Sequence, residues 1–130
     1  MAEAFKDLKV WKKGIALSIQ VYRFTGTFPR EELYGLVSQM RRASVSIASN
    51  IAEGSARGRR REFRQFVKLA EGSNCELQTQ LLRARQLGFG DKGRAEQIEI
   101  ASNEVGRILT ALCKYLSREI AASASSKGFN

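Results

Sequence analysis

The chain has 130 residues, with 22 Lys plus Arg against 13 Asp plus Glu, a net charge of +9 and no histidine. That length suits one domain with a real core. The lack of histidine removes the commonest general base, the commonest metal ligand and any Ser–His or Cys–His nucleophile pair.

Proline occurs once and aromatic residues are few, which favours long helices over strands. The first predicted helix covers residues 8–24, where Leu8, Trp11, Ile15, Ile19 and Tyr22 recur at helical spacing. Thr25, Gly26 and Thr27 break it. Pro29 then precedes Glu31 and Glu32, carboxylates that suit the positive end of a helix dipole. The second helix is expected over residues 30–55, about 38 Å long. Its core stripe is Leu33, Val37, Met40, Ser44, Ile47 and Ile51, with Leu36 and Ala43 beside it. Gly54 and Gly58 mark its end. The third helix is predicted over residues 60–87, with Phe63, Phe66 or Val67, Ala70, Asn74, Leu77, Leu81 and Ala84 inward. Arg83 and Arg85 suit its last turns, and Gly88-Phe89-Gly90 stops it. Asp91 is a fair N-cap for the fourth helix, whose stripe is Ile98, Ala101, Val105, Ile108, Leu112 and Tyr115 or Leu116. The Ser/Ala-rich residues 121–130 read as a disordered tail after a domain of residues 1–120. No period-two alternation occurs. The expected fold is all-α, a single antiparallel up-down-up-down four-helix bundle.

Gly14, Gly35, Gly72 and Gly106 fall inside predicted helices, each costing about 1 kcal/mol relative to Ala. Close approach of another helix of the bundle, or of a second subunit, would offset that cost. Leu17, Leu69, Leu82 and Ile100 lie off the drawn seams, which predicts a second buried surface and a homo-oligomer. On the second helix a polar stripe runs through Gln39, Arg42, Ser46, Asn50, Glu53 and Arg57. It is a solvated face, a subunit contact through Arg42, Asn50 and Glu53, or an extension of the basic hinge through Arg42 and Arg57.

Arg57, Arg59, Arg60, Arg61 and Arg64 crowd that hinge, opposed within it only by Glu62. Positive charge at a helix start opposes the helix dipole. A bound phosphate would relieve the conflict, using free N–H groups and guanidinium forks. Lys6, Lys9, Lys12 and Lys13 open the first helix, at the same end of an up-down bundle. Nucleic acid is therefore the expected partner, through phosphate contacts with weak sequence preference. No aromatic platform for single strands is evident. Cys75 and Cys113 lack metal-ligand spacing and read as ordinary buried thiols. Glu96 with Glu99, or Glu71 near Glu76, lacks the Glu-x-x-His motif of di-metal bundles. No catalytic residue, metal or cofactor is expected. The N-terminal residues hold no apolar signal core and no run of 18 apolar residues occurs, so the expected compartment is the reducing cytoplasm, with no membrane partner. The competing function is a scaffold that docks an acidic or polymerase-like protein at the basic end.

Five blocks resemble one family: LKVW from Leu8, the segment Phe28 to Leu36, SQMRRASVSIASNIAEG from Ser38 to Gly54, REFRQFVKLAEGSNCELQTQL from Arg61 to Leu81, and the following LLRARQLGF. Over residues 5–116 the chain resembles the bacterial four-helix bundle proteins known as 23S rRNA intervening-sequence proteins, the S23 family. The resemblance implies a single four-helix bundle, similar in fold to the accessory proteins of diversity-generating retroelements. It also implies a ring-shaped homopentamer and a link to RNA, with no settled biochemical activity; shape and charge favour structured RNA or an RNA–DNA hybrid.

Overall fold

The computed structural model describes residue 5 and residues 8–128, the last three as backbone only. Four helices carry the described chain: α1 (Lys9–Thr25), α2 (Ser38–Ala56), α3 (Arg60–Leu87) and α4 (Lys92–Gly128). No strand occurs among the described residues. α1 packs on α2 and α4, and α3 packs on the same two, which closes a four-helix bundle. Contacts along one seam show the antiparallel register. Arg60 meets Glu119, Arg64 meets Ser117, Glu71 meets Thr110 and Arg85 meets Glu99, so numbers rise on α3 as they fall on α4.

The core is one cluster, with Met40, Ile47, Ile51, Leu77, Ile98 and Leu109 fully buried. Each such side chain contributes about 1.5–3 kcal/mol by leaving water. Four polar residues, Thr25, Ser44, Asn74 and Ser102, share the interior. Asn74 donates to the Ser102 carbonyl at 3.0 Å, and Ser102 Oγ donates to Asn74 Oδ1 at 2.7 Å. The pair satisfies itself across α3 and α4, as burial of polar groups requires.

α3 spans the expected residues with the expected inward stripe. α4 starts as predicted, with Asp91 Oδ2 accepting from the Arg94 N–H at 2.9 Å. α1 differs. Its buried face is Val10, Gly14, Leu17, Val21 and Phe24, while Ile15, Ile19 and Tyr22 are exposed. Leu17, expected outside the core, is fully buried. Both stripes obey helical spacing. The inner one contains Gly14, where an added Cβ would lie 3.3 Å from Ala48 Cβ. That closeness lets α1 and α2 approach backbone to backbone, which decides the orientation.

The second expected helix is also broken. A 3-10 turn (Arg30–Glu32) and a π turn (Leu33–Val37) precede α2. Gly35 sits at φ −109°, ψ −107°, outside helical geometry, while the Glu32 carboxylate accepts from the Leu36 N–H at 3.3 Å. The kink leaves Leu33 exposed rather than inward. Of the other helical glycines, Gly106 approaches Asn74, and Gly72 faces open space.

At its far end α4 does not stop near Ile120. It continues to Gly128, where a tail was expected from Ala121. No glycine or proline interrupts residues 121–127, and alanine is the strongest helix former. The side chains of residues 121–125 are exposed. Measured from Glu119, which faces the first residue of α3, the overhang is about 13 Å.

Candidate functional site

The α2–α3 joint is three residues, Arg57, Gly58 and Arg59. Gly58 takes φ +74°, the left-handed region that suits glycine. Arg59 is extended and precedes α3, and no side chain caps that helix start. The first turn bond is from the Phe63 N–H to the Arg59 carbonyl at 2.9 Å. The N–H groups of Arg60, Arg61 and Glu62 therefore lie ahead of the intrahelical ladder. They face the end of the bundle where the overhang of α4 rises beside them. Between the two lies a groove of about 880 Å3. Arg59, Arg60, Arg61, Glu62 and Gln65 form one wall, and Ile120, Ser123 and Ala124 form the other.

The five hinge arginines are brought together, but not equally. Arg57 pairs with Glu53 at 3.2 Å and lies 5.3 Å from the Phe66 ring centre. Arg60 pairs with Glu119 at 3.6 Å. Both pairs are exposed, and such pairs contribute little. Arg64 donates from Nε to Ser117 Oγ at 2.7 Å. Arg59 and Arg61 meet no carboxylate among the described residues. The cluster keeps a net positive charge at a helix start whose dipole adds to it.

The lysines of α1 share this end but are set back. Lys13 Nζ meets Glu104 at 2.6 Å. Glu104 and Glu119 are 15 positions apart on α4, so the Lys13 and Arg60 levels differ by about 22 Å. Lys9 recovers only about one turn of that distance, and Lys12 less. Lys13 and its neighbours hold the Glu104 carboxyl below the ordinary carboxylate range, chiefly through the Lys13 hydrogen bond. Lys6 lies outside the described residues.

Arg42 does not extend the hinge. It sits near the start of α2, beside Tyr22, Leu33 and Tyr34 at the opposite end of the bundle. Its neighbour Arg41, which lies outside the polar stripe, stacks 4.4 Å above the Tyr22 ring and donates to Thr25 Oγ1 at 2.9 Å. Asn50 bonds back to the Ser46 carbonyl at 2.8 Å, and Glu53 is taken by Arg57. Leu69, Leu82 and Ile100 are exposed as expected. They do not form one patch, since Leu69 and Leu82 are about 20 Å apart along α3.

Cys75 is exposed, contrary to expectation, while Cys113 is buried. Cys113 Sγ donates to Glu71 Oε1 at 3.3 Å. Burial, with Glu71 beside it, pushes the thiol up to about 11. The neutral thiol is the reverse of an activated nucleophile. Burial alone would raise the Glu71 carboxyl. Hydrogen bonds from Cys113 and Thr110, with Lys68 nearby, outweigh burial and lower it below its ordinary 4.5. A lowered acid adds stability above its unfolded-state value and loses it as pH falls through the folded-state value. Glu71→Gln should therefore melt below the parent at about pH 7, with the gap closing as pH falls below the ordinary 4.5. Thermal unfolding across that range checks it, and a gap that widens in acid would contradict the assignment.

No group of three His, Cys, Asp or Glu suited to a metal occurs among the described residues. No described helix is long and apolar enough to cross a membrane.

The family model of the 23S rRNA-intervening sequence protein matches residues 6–111. The chain belongs to the 23S rRNA-intervening sequence protein family. A solved structure of a protein of unknown function, from the S23 ribosomal protein family of Bacteroides thetaiotaomicron VPI-5482, shares the fold. Its TM-score is 0.72 at 20% identity, covering 81% of this chain and 98% of that one. No curated protein matches. The family match ends at residue 111 and stops short of the overhang that walls the groove.

Proposed function

We propose that the protein is a non-catalytic, self-associating helical bundle that holds nucleic acid by its phosphate backbone at the tip of α3. The observation that carries the proposal is the groove lined by Arg59, Arg60 and Arg61 at an uncapped helix start. Guanidinium forks and free N–H groups there converge on one opening, the chemistry that phosphate oxygens need. The family name, with its rRNA intervening sequence, makes structured RNA or an RNA–DNA hybrid the first ligand to test. Filter binding across a salt series tests it. If about five phosphates are neutralised per subunit, log affinity should fall with log salt at a slope of about −4 to −5. A flat response would remove the proposal.

A scaffold that docks an acidic or polymerase-like protein is the second reading. It is favoured by the tip arginines that already bind carboxylates, Arg57 to Glu53 and Arg60 to Glu119. Capture of such a protein after nuclease treatment, with no salt-dependent RNA binding, would favour it.

Self-association draws on the outer face of α1 and α2. Ile15, Ile19 and Tyr22 are exposed on one side of α1, with Val45 and Tyr34 exposed on the neighbouring segment. Arg42 on α2 and Glu31 in the 3-10 turn before it are also exposed, so charges of both signs are available to a second copy of this chain. A homopentamer is the expected assembly by family resemblance. Light scattering at micromolar concentration should give a mass several times that of the 14.5 kDa chain. Ile19→Asp should lower that mass without unfolding the bundle. A monomeric parent would end this part of the proposal.

A further inference from the structure

We infer that the phosphate path does not end at the tip but continues along the outer seam between α3 and α4, as a track for the backbone of a nucleic-acid strand. The inference rests on the phosphate-binding reading of the tip and adds residues that reading does not contain. A shallow depression of about 270 Å3 follows the seam, and Arg64, Lys68, Lys114 and Arg118 line it. Arg64 and Lys68 are four apart on α3, and Lys114 and Arg118 are four apart on α4. Each pair therefore stands on one helix face with about 6 Å between its members along the axis. The bond from Arg64 to Ser117 sets the register. It places Arg118 across from Arg64 and Lys114 across from Lys68, since the helices are antiparallel. The result is two rails of cations facing each other over one groove.

Only one carboxylate lines this depression, and it is occupied. Glu71 accepts from Thr110 at 3.1 Å and from Cys113 at 3.3 Å, and meets Lys68 at 3.4 Å. The four cations outweigh it. Ser117 accepts from Arg64, which leaves its own hydroxyl proton for an incoming oxygen. At its upper end the track meets the tip groove, because Arg61 is one turn from Arg64 on the same helix. At its lower end a second depression carries Arg107 beside Glu71 and Thr110. From Arg60 to the level of Glu71 is about 16 Å. That length spans roughly five phosphates at the about 3.4 Å spacing of one stacked strand. No aromatic side chain lines either depression, so the track engages the backbone rather than the bases.

The test measures fluorescence anisotropy of a labelled single-stranded RNA of about 20 nucleotides over a KCl series. The full chain is compared with three double variants: Lys114→Gln with Arg118→Gln on the seam, Arg59→Gln with Arg61→Gln at the tip, and Lys92→Gln with Arg94→Gln at the opposite end of the bundle. All six side chains are exposed, so folding is not at stake, and circular dichroism verifies it. The seam pair should make the salt slope shallower by about 1.4, two phosphates at about 0.7 each for a single strand. The pair at the opposite end should leave it unchanged. If the seam pair binds like the parent while the tip pair weakens, the track is wrong and the tip reading survives. If the seam pair weakens while the tip pair does not, the tip reading is wrong, and a path that continues from the tip falls with it. If the parent shows no salt-dependent binding, both fall. Equal loss from the opposite-end pair would mean diffuse attraction and would overturn the track. Equal competition by polyglutamate of matched charge would assign the seam to an acidic protein and overturn it as well.

Discussion

Alanine at Arg59, Arg60 and Arg61 together should weaken RNA binding across all sequences and make the salt slope shallower by about 2 to 3, at about 0.7–0.9 per lost phosphate. The same variant should be no less stable than the parent. These residues precede or open α3, where each positive charge opposes the dipole at about 0.3–1 kcal/mol in low salt. The one ion pair removed, Arg60 with Glu119, is exposed and contributes at most about 1 kcal/mol. Alanine is also the best helix former. Binding that falls while the thermal midpoint holds or rises is the signature of side chains kept for a ligand rather than for the fold. Filter binding and thermal unfolding on one preparation check both halves. Unchanged affinity would remove the tip from the mechanism. A lower midpoint would mean that the arginines serve the fold instead.

Much of this architecture is legible in the residue pattern where only one pattern fits. α3 has a single apolar stripe, a glycine hinge before it and Gly88 after it, and its expected bounds match. α1 has two stripes of equal spacing, and periodicity alone does not choose between them. The choice is made by the contact of Gly14 with Ala48, two small residues that only a pairing of the two helices makes meaningful. The kink at Gly35 was hidden because Leu33 and Leu36 keep helical spacing through it. For the site, the arginine cluster is visible as a run of letters, and its location follows from up-down topology. The opposite wall of the groove is not. Ile120, Ser123 and Ala124 belong to a stretch whose Ser/Ala composition resembles a loose tail, and their place depends on α4 outrunning its neighbours. Of the seam cations, Arg64 was legible in the hinge cluster, while Lys68, Lys114 and Arg118 were missed for a related reason. Lys68 and Lys114 are 46 positions apart and become neighbours only through the α3–α4 register. Arg42 fails as a hinge residue on length alone, since 15 positions from Arg57 amount to about 22 Å of helix.

Two glycine-to-alanine changes should act with opposite sign. In an open helix position this change stabilises by about 0.4–1 kcal/mol, because alanine has less backbone freedom to lose. Gly72 is such a position, with nothing within 4 Å of an added Cβ. Gly54 is not. An added Cβ there would lie 2.5 Å from Phe66 Cβ and 3.1 Å from Phe63 Cδ1. A Cβ does not move with side-chain rotation, so relief requires α2 and α3 to separate. Gly54→Ala should therefore destabilise the bundle by about 1–3 kcal/mol, the usual cost of overpacking. Urea midpoints of the two variants, measured against the parent, give the comparison directly. Gly54 also lies one turn before the basic joint, so separation there moves the start of α3 against the overhang of α4. RNA affinity should fall in this variant while the salt slope stays near the parent value, because the cations are displaced rather than removed. Should Gly54→Ala prove as stable as Gly72→Ala, the close seating of Phe66 against α2 would not be what holds the arginine tip in place.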